Sequence, residues 1–471
     1  MAKLIGLPLF LMFAIQVSIA QIDSVIINME GELEFPSQFL QLKSSISSRI
    51  DARDDRFLYS ANLVFGLGIY DISDPANIQI VLEMEKELFD GLSVSTIQQI
   101  GNYLFVGLGD FQTQNPASGL AIIDITDPES PAITDTWTSE DFTNGVSHLD
   151  IYEGIAYLSV MNDGLLILDV NQKEDIKFVS SFIPDLTFPE ISDGHHQGRG
   201  ITKVNDILYY TFDRGGFRSI DVSDIFEPKE IDKYINFDLI TKATAAYNDV
   251  LIVGNYAYLS VDYCGLEVLD ISTNPWTLVD WYDPVNCEGF NWFGAAVHTN
   301  ELVTACNDSL LFVSGGNSEV IAFDISNPGS LKRVGGFFEL DNELAAYGLH
   351  VLGNKISVSY INNPLNIPYI GNWGGLKVLS FSKMKTTSVS NKSNEKSIHL
   401  YPNPTSSFIT IENLEKGSYG FVLTTSGQMV DQFYFKNYKE AQLSLDDLPG
   451  GIYLLKLVSN KESQLFKIIK R

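Results

Sequence analysis

The sequence predicts an all-β protein: a seven-bladed β-propeller followed by a small C-terminal β-sandwich. The main observation is an eight-residue pattern, seen most clearly at Gly265 to Ser272 (GLEVLDIS), that occurs seven times within residues 66–382 at intervals of 45–56 residues. A period near fifty in a strand-rich chain is typical of one propeller blade per repeat. The second observation is a change of texture near residue 398, where short alternating strands without the repeat begin.

Each copy combines an opening small residue, an apolar strand and, in six of the seven copies, a closing aspartate. The copies are Gly66 to Ser73, Gly119 to Thr126, Gly164 to Asn171, Gly216 to Ser223, Gly265 to Ser272, Ser318 to Ser326 and Gly375 to Ser382. We expect the aspartate to accept hydrogen bonds from backbone N–H groups two residues later, which would fix the turn after the strand. Because the aspartate recurs in six of the seven copies, we interpret it as structural and not catalytic.

The seventh repeat is one strand short, because Phe381 leads directly into a segment rich in Lys, Ser, Thr and Asn. The N-terminal residues before the first repeat contain strand-like material. Of this material, Pro36 to Leu42 resembles the missing outer strand, so we predict that the N-terminal segment closes the ring. Such closure removes an exposed strand edge.

Several loops depart from the repeat. Extra residues are expected at Gly109 to Ser118, around Cys306 to Asn317, and at Asn362 to Trp373. Long loops on one propeller face are where binding surfaces are usually built, although surface loops also tolerate neutral drift.

The domain boundaries follow from these changes of texture. Residues 1–20 combine Lys3, an apolar run and a small-residue end, which is typical of a cleaved secretory signal peptide. Residues 21–383 form the predicted propeller, residues 384–397 a polar linker, and residues 398–471 the sandwich. No second apolar run reaches the ~20 residues that a membrane span needs, so we expect no transmembrane segment in the mature protein.

Charge is distributed unevenly along the chain. The formal net charge is −28; from Met384 onward there are 11 Lys plus Arg and 8 Asp plus Glu, so residues 1–383 carry 20 against 51. Nucleic acids and anionic membranes need a basic footprint, so the acidic body argues against both as partners. Acidity leaves divalent cations, cationic partners or simple solubility as explanations.

Cysteine content excludes a disulfide scaffold. The chain has three cysteines, Cys264, Cys287 and Cys306, all in the fifth and sixth repeats. One disulfide could form in an oxidising compartment, leaving one thiol, and the sequence does not say which pair would join.

Two parts of the chain resemble known families. The strands LAIID, LLILD and LEVLD resemble the LVIVD repeat, which implies a bacterial β-propeller and supplies no catalytic residues. The tail is similar to the C-terminal sorting domain of type IX secretion cargo in three segments, given in chain order: Leu400 to Pro404 with Phe408 to Ile411, Leu448 to Leu454, and Phe466 to Lys470. This resemblance implies export across the outer membrane by the type IX machinery through residues 398–471, removal of the tail, and release or attachment at the cell surface.

One stretch lies outside the repeat pattern and supplies candidate ligand-binding residues. Asp193, His195, His196 and Arg199 precede the innermost strand of the fourth repeat, where rotational symmetry brings equivalent loops to one face of the central channel. His148, Glu288 and Trp292 occupy corresponding positions in other repeats. Such a polar funnel could bind a divalent cation or an anionic or sugar ligand, but the same loop could also satisfy its own polar groups.

Besides a purely structural surface-layer component, two functions fit these observations. The first is a secreted or cell-surface scaffold that binds an extracellular protein or glycan on its loop face, in which case Trp373 and Tyr369 would contribute to an apolar rim. The alternative is a propeller enzyme, a metal-assisted hydrolase or lyase with its site in the funnel. The sequence contains no GxSxG or HExxH motif, so no catalytic residue or resident cofactor is assigned.

We predict that deletion of Ile398 to Arg471 leaves a folded propeller inside the cell envelope, because the deletion removes the export signal and spares the repeats. Fractionation of cells that produce the truncated chain measures this outcome. Normal export of the truncated protein would contradict the assignment of the tail.

Overall fold

The regular secondary structure of the computed structural model is almost entirely β-strand, which confirms the all-β propeller fold with a C-terminal β-sandwich. It describes residues 24–36, 43–111, 115–190, 196–239, 242, 245–283, 286–287, 297–339, 344–363, 370–384, 398–414, 418–424, 429–435, 440–446, 448–458 and 463–471. Within these ranges, residues 24–384 form seven four-stranded antiparallel sheets, and residues 399–470 form two further sheets. None of the helices in this part of the chain is long and apolar enough to cross a membrane.

The sheets follow one another in chain order, except that the first strand of the chain belongs to the last propeller sheet. Sheets 1 to 3 consist of β2 (Ser47–Ile50), β3 (Phe57–Ala61), β4 (Leu67–Asp71) and β5 (Gln79–Met84); β6 (Val94–Ile100), β7 (Tyr103–Leu108), β8 (Ser118–Asp124) and β9 (Ala132–Ser139); β10 (His148–Tyr152), β11 (Ile155–Ser159), β12 (Leu165–Asp169) and β13 (Lys177–Phe182).

Sheets 4 to 7 repeat this order. They consist of β14 (Ile201–Val204), β15 (Ile207–Thr211), β16 (Phe217–Asp221) and β17 (Lys229–Tyr234); β18 (Tyr247–Val253), β19 (Tyr256–Val261), β20 (Leu266–Asp270) and β21 (Thr277–Tyr282); β22 (Leu302–Ala305), β23 (Leu310–Ser314), β24 (Val320–Asp324) and β25 (Lys332–Phe337); β26 (Ala346–Leu352), β27 (Lys355–Tyr360), β28 (Gly375–Met384) and β1 (Ser24–Glu34). Short 3-10 helices occur at Pro75–Asn77, Lys86–Phe89 and Asp262–Cys264.

The innermost strands form a closed ring. Each innermost strand contacts that of the following sheet, in the order β2, β6, β10, β14, β18, β22 and β26, and β26 contacts β2 again. The repeat pattern forms the third strand of each sheet, and these strands are buried because neighbouring sheets cover both of their faces.

The N-terminal residues supply the fourth strand of sheet 7, but from a different stretch than predicted. The strand is β1 (Ser24–Glu34), which pairs antiparallel with β28; Pro36 is not in a strand, and residues 37–42 lie outside the described residues. Alternation explains the choice, since Val25 and Ile27 are fully buried while Ser24, Ile26 and Asn28 beside them are partly exposed. A bulge between Met29 and Gly31 shifts the register beyond that point.

The insertion expected in the sixth repeat was also wrong. Residues near Cys306 to Asn317 are not an insertion, since they contain β23, the second strand of sheet 6. The cysteine pairing left open by the sequence is resolved: Cys264 and Cys287 form a disulfide, and Cys306 is a free thiol.

The structural role predicted for the repeated aspartate is confirmed. In six repeats its Oδ1 accepts the backbone N–H two residues later at 2.7–2.9 Å, and the residues are Asp71, Asp124, Asp169, Asp221, Asp270 and Asp324. The opening glycine is needed for backbone conformation in four repeats, for example at Gly265, where φ is +78°.

The tail is a two-sheet sandwich. One sheet contains β29 (His399–Tyr401), β30 (Phe408–Glu412) and β33 (Glu440–Ser444), and the other β31 (Ser418–Thr424), β32 (Met429–Phe435), β34 (Gly451–Val458) and β35 (Ser463–Lys470). Side chains of both sheets, such as Ile411 and Leu455, share one buried cluster that also includes residues of sheet 6. The sandwich therefore packs directly against the propeller.

Hydrogen bonds from side chains of one sheet to the backbone of the next join the innermost strands. We call these the junction hydrogen bonds. The backbone N–H donates to a side chain of the preceding sheet at five junctions: Ile151 to Gln98, Lys203 to Asp150, Leu302 to Asp249, Leu349 to Glu301 and Ile50 to His350. Thr202 donates instead to the Val250 carbonyl, and Gln99 accepts from Ala52 in the preceding sheet. Every junction between adjacent sheets therefore has such a contact.

One junction hydrogen bond depends on pH. Ile50 N–H donates to Nδ1 of His350 at 3.1 Å, so the neutral ring carries its proton on Nε2. Burial, assisted by the nearby Arg49 charge, lowers the pKa of His350 to about 3. As pH falls below ~6.5, the unfolded chain binds a proton here that the folded chain does not, and the free energy of unfolding falls.

We predict that His350→Asn, which keeps an acceptor for Ile50, removes this pH dependence. The difference in unfolding free energy between wild type and variant should change by about 2 kcal/mol between pH 7 and pH 5, as measured by denaturant titration at both pH values. His399→Asn, at an exposed position of the C-terminal sandwich, is the control and should leave the difference constant. A constant difference for His350→Asn would contradict the linkage between protonation of His350 and the free energy of unfolding.

Candidate functional site

The central channel is lined by the innermost strands and contains two adjoining cavities. The larger, of about 390 Å³, is lined by residues of five innermost strands or the residues next to them, and the smaller occupies about 140 Å³. Arg49, His148, Thr202 and His350 line both cavities. We call these four residues the channel cluster.

The channel cluster combines one arginine with two neutral histidines and a threonine. Arg49 donates through Nη1 to the Ser48 carbonyl at 2.7 Å and to Ser47 Oγ at 3.5 Å. Burial and the Arg49 charge lower the pKa of His148 to about 4, so both channel histidines are neutral at pH 7. Arg49 is therefore the only ionised member of the cluster at that pH.

Three carboxylates lie on the channel wall near Arg49. Burial raises the pKa of Asp249 to about 7 and also raises the pKa values of Asp150 and Glu301. Each of the three accepts a junction hydrogen bond, as when Asp249 Oδ2 accepts from Leu302 at 2.9 Å while its Oδ1 accepts from Val250 at 2.8 Å. These acids therefore hold neighbouring sheets together, which limits the oxygens left for a ligand.

A second polar group lies where the innermost strands begin, on the face that carries the long loops. The Arg199 guanidinium lies 3.6 Å from Asp213 and over the ring of Phe111 at 5.9 Å. Phe111 also packs against Tyr347, with ring centroids 6.1 Å apart. We call Arg199, Asp213, Phe111 and Tyr347 the loop-face cluster.

An Asp–His pair lies close to the loop-face cluster. His298 Nε2 is 3.0 Å from Asp262 Oδ1, and that oxygen also accepts from Asn248 Nδ2 at 2.8 Å. The Tyr263 ring meets the imidazole edge-on at 5.0 Å. These contacts orient His298, so the face combines an oriented imidazole, a guanidinium and aromatic rings.

The structure separates the predicted funnel residues. His148 belongs to the channel cluster and Arg199 to the loop-face cluster. His196 is turned into sheet 4, where its Nε2 donates to the Phe188 carbonyl at 3.0 Å and its ring meets Phe212 at 5.6 Å. The other predicted residues, Asp193, His195, Glu288 and Trp292, lie outside the described residues.

The expectation of a divalent cation stays a prediction. Within the described ranges, one group of three potential ligand side chains lies within metal-binding distance, namely Cys264, Cys287 and Asp283. The two cysteines are joined to each other, so they offer no thiolate to an ion. Of the two residues predicted for the apolar rim, Trp373 packs edge-on against Tyr360, with ring centroids 5.1 Å apart. Tyr369 lies outside the described residues.

Sequence reasoning missed Arg49, Asp249, Glu301 and His350. A signal was present, because five innermost strands, or the residue just before them, have a polar acceptor side chain among apolar residues, such as Asp249 in YNDVLIV and His350 in AYGLHVL. The signal is one residue per repeat and changes type from repeat to repeat, so the eight-residue pattern does not include it.

Comparison with known protein families identifies both parts of the chain. Residues 93–138 and 246–278 match the LVIVD repeat, and residues 399–471 match the secretion system C-terminal sorting domain. No curated protein matches the sequence.

Solved structures support the propeller fold. U3-55K is similar over 76% of this chain and 98% of its own, at 10% identity and a TM-score of 0.52. The WD40 β-propeller domain of Doa1 is similar over 76% of this chain and 97% of its own, at 10% identity and a TM-score of 0.50. Raptor of Chaetomium thermophilum matches 76% of this chain with 29% of its own, at 10% identity and a TM-score of 0.52. At this identity the likeness concerns the fold alone.

A sorting domain of this family implies export by type IX secretion to the cell surface or beyond it. The chain therefore carries LVIVD repeats and a secretion system C-terminal sorting domain, which indicates export by that route.

Proposed function

We propose that the exported propeller is a binding scaffold that holds an extracellular protein or glycan on its loop face. The observation that carries this proposal is the use of the channel carboxylates: Asp150, Asp249 and Glu301 each accept a backbone N–H of the next sheet. Acids that accept these junction hydrogen bonds stabilise the ring. We therefore expect the binding function to lie in side chains that do not recur from sheet to sheet.

The loop-face cluster contains side chains that do not recur from sheet to sheet. Arg199 and Phe111 have no counterparts among the repeat positions, and the Arg199 side chain remains 23% exposed beside Asp213. Arginine and aromatic residues are enriched where proteins bind partners, because they combine large contact area with directed polar groups. A guanidinium over an aromatic ring also suits the carboxylates and hydroxyls of glycans.

A binding screen tests the proposal. We expect the chain without its predicted signal peptide, residues 21–471, to bind a member of an array of surface polysaccharides and immobilised extracellular proteins. Arg199→Gln should weaken that binding at least about tenfold, because it removes the charge at the centre of the cluster. Surface plasmon resonance on the captured array member gives the ratio.

The matched control is Arg56→Gln, which changes an exposed arginine in the β2–β3 turn at the opposite end of the channel and should not alter binding. Equal binding by Arg199→Gln and wild type would contradict the proposed face. A stoichiometric divalent ion in elemental analysis, lost on chelation together with turnover of a substrate, would instead favour the alternative of a metal-assisted hydrolase or lyase.

A further inference from the structure

The outer strand of sheet 6 differs from the outer strands of sheets 1 to 5. In β25 every residue from Arg333 to Phe337 is buried, whereas β17 alternates between exposed and partly buried residues along its whole length. The sequence of β25, KRVGGF, contains two adjacent glycines, and the outer strands of sheets 1 to 5 contain none. This outer strand is therefore built for contact with another part of the chain.

The sorting sandwich provides that contact through β32. The rings of Phe337 and Tyr434 lie 5.5 Å apart, and those of Phe338 and Phe433 lie 6.2 Å apart. Directly after β25, Glu339 forms a parallel bridge with Tyr434. The sandwich thus lies along the outer edge of sheet 6.

Two polar side chains of the sandwich meet polar groups of sheet 6. Gln432, only 1% exposed, donates through Nε2 to the carbonyl oxygen of Gly336. The Arg333 guanidinium, also buried, lies 3.9 Å from Asp431. Because burying the Gln432 amide N–H without an acceptor would cost free energy, this bond favours the register in which Gln432 meets the Gly336 carbonyl.

The N-terminal strand forms the other half of the same surface. Tyr419 of the sandwich is 5% exposed and its hydroxyl hydrogen-bonds to the backbone of Met29 in β1. Val25 and Ile27 of β1 share a buried cluster with Tyr419, Phe421 and Met429 of the sandwich. The sandwich therefore contacts sheet 6 and the ring-closing strand at the same time.

A glycine in β25, the outer strand of sheet 6, allows β25 and β1 to lie close together. A Cβ atom on Gly335 would lie 2.5 Å from the carbonyl oxygen of Val25, which is closer than a side chain permits. Sheet 6 thus has a glycine where β1 must pass, next to the residues that contact β32.

We propose that Arg333, Gly336, Phe337, Phe338 and Met29 form a docking site for the sorting domain, and that this site is complete only after the N-terminal strand has closed the ring. The first and last parts of the chain meet at this site, so the sorting domain docks on a propeller that has finished folding. The proposal rests on the identity of the sorting domain and not on the proposed binding partner.

The experiment uses the full mature chain with a site-specific protease sequence inserted in residues 384–397. After cleavage, the two fragments should co-elute in size-exclusion chromatography at about 1 µM, since docking of this kind corresponds to a submicromolar dissociation constant. Gln432→Ala combined with Tyr434→Ala should weaken the association at least about tenfold and separate the fragments. Tyr401→Ala, at an exposed position of the sandwich, is the matched control and should co-elute. Separate elution of folded wild-type fragments would overturn the proposal.

The dependence on ring closure has its own test. Gly335→Val should displace β1 and release the cleaved sorting domain, whereas Gly329→Val should retain it, because the nearest atom to a Cβ at Gly329 is 3.9 Å away. Should Gly335→Val fail to fold, Tyr419→Phe removes only the hydroxyl that reaches Met29 and should weaken association several-fold. Its control, Tyr453→Phe, loses a hydrogen bond within the sandwich and should not. Full retention by Tyr419→Phe would contradict the role of β1.

Discussion

Hydrogen bonds between side chains and the backbone of adjacent sheets are the constraint on which the ring depends. An innermost propeller strand pairs on one side only, so its other edge presents N–H groups without a ladder partner. In this protein Gln98, Asp150, Asp249, Glu301 and His350 accept such groups from the next sheet. Because each bond joins two sheets, the register of one sheet helps to fix that of the next around the channel.

The same constraint explains why the acidic channel is a structural feature. Burial raises the pKa values of Asp150, Asp249 and Glu301. Without hydrogen-bond partners, these buried acids would lower the stability of the channel wall. Their oxygens accept backbone N–H groups, and the Arg49 charge partly opposes the rise in the pKa values of Asp249 and Glu301. At the last junction His350 accepts from Ile50 of β2, and β1 completes sheet 7 by pairing with β28, so both ends of the propeller chain contribute to the stability of the ring.

Sequence reasoning predicted the fold because the repeat is periodic: the strands, the turn-fixing aspartates and the sandwich follow from residue type and spacing. It misplaced the closing strand, since Pro36 to Leu42 resembled other outer strands while the alternation of Ser24–Glu34 was not used. It also did not predict Arg218, Glu267 and Lys377, which share one repeat position and are fully buried. Their partners follow no period, since Glu230 is 12 residues from Arg218 whereas Glu319 is 58 residues from Lys377. The same reason applies to the loop-face and channel clusters, which combine residues from different sheets.

Native-state hydrogen exchange at the Leu349 amide is the most direct test of the junction hydrogen bonds. This N–H donates to Glu301 Oε2 at 2.8 Å, so it should exchange slowly in the wild-type protein. Glu301→Ala should speed its exchange about tenfold to hundredfold, and Glu301→Gln, which keeps an acceptor, should leave it slow. Fast exchange of the wild-type amide, or equal protection in the alanine variant, would show that the ring is held by other interactions.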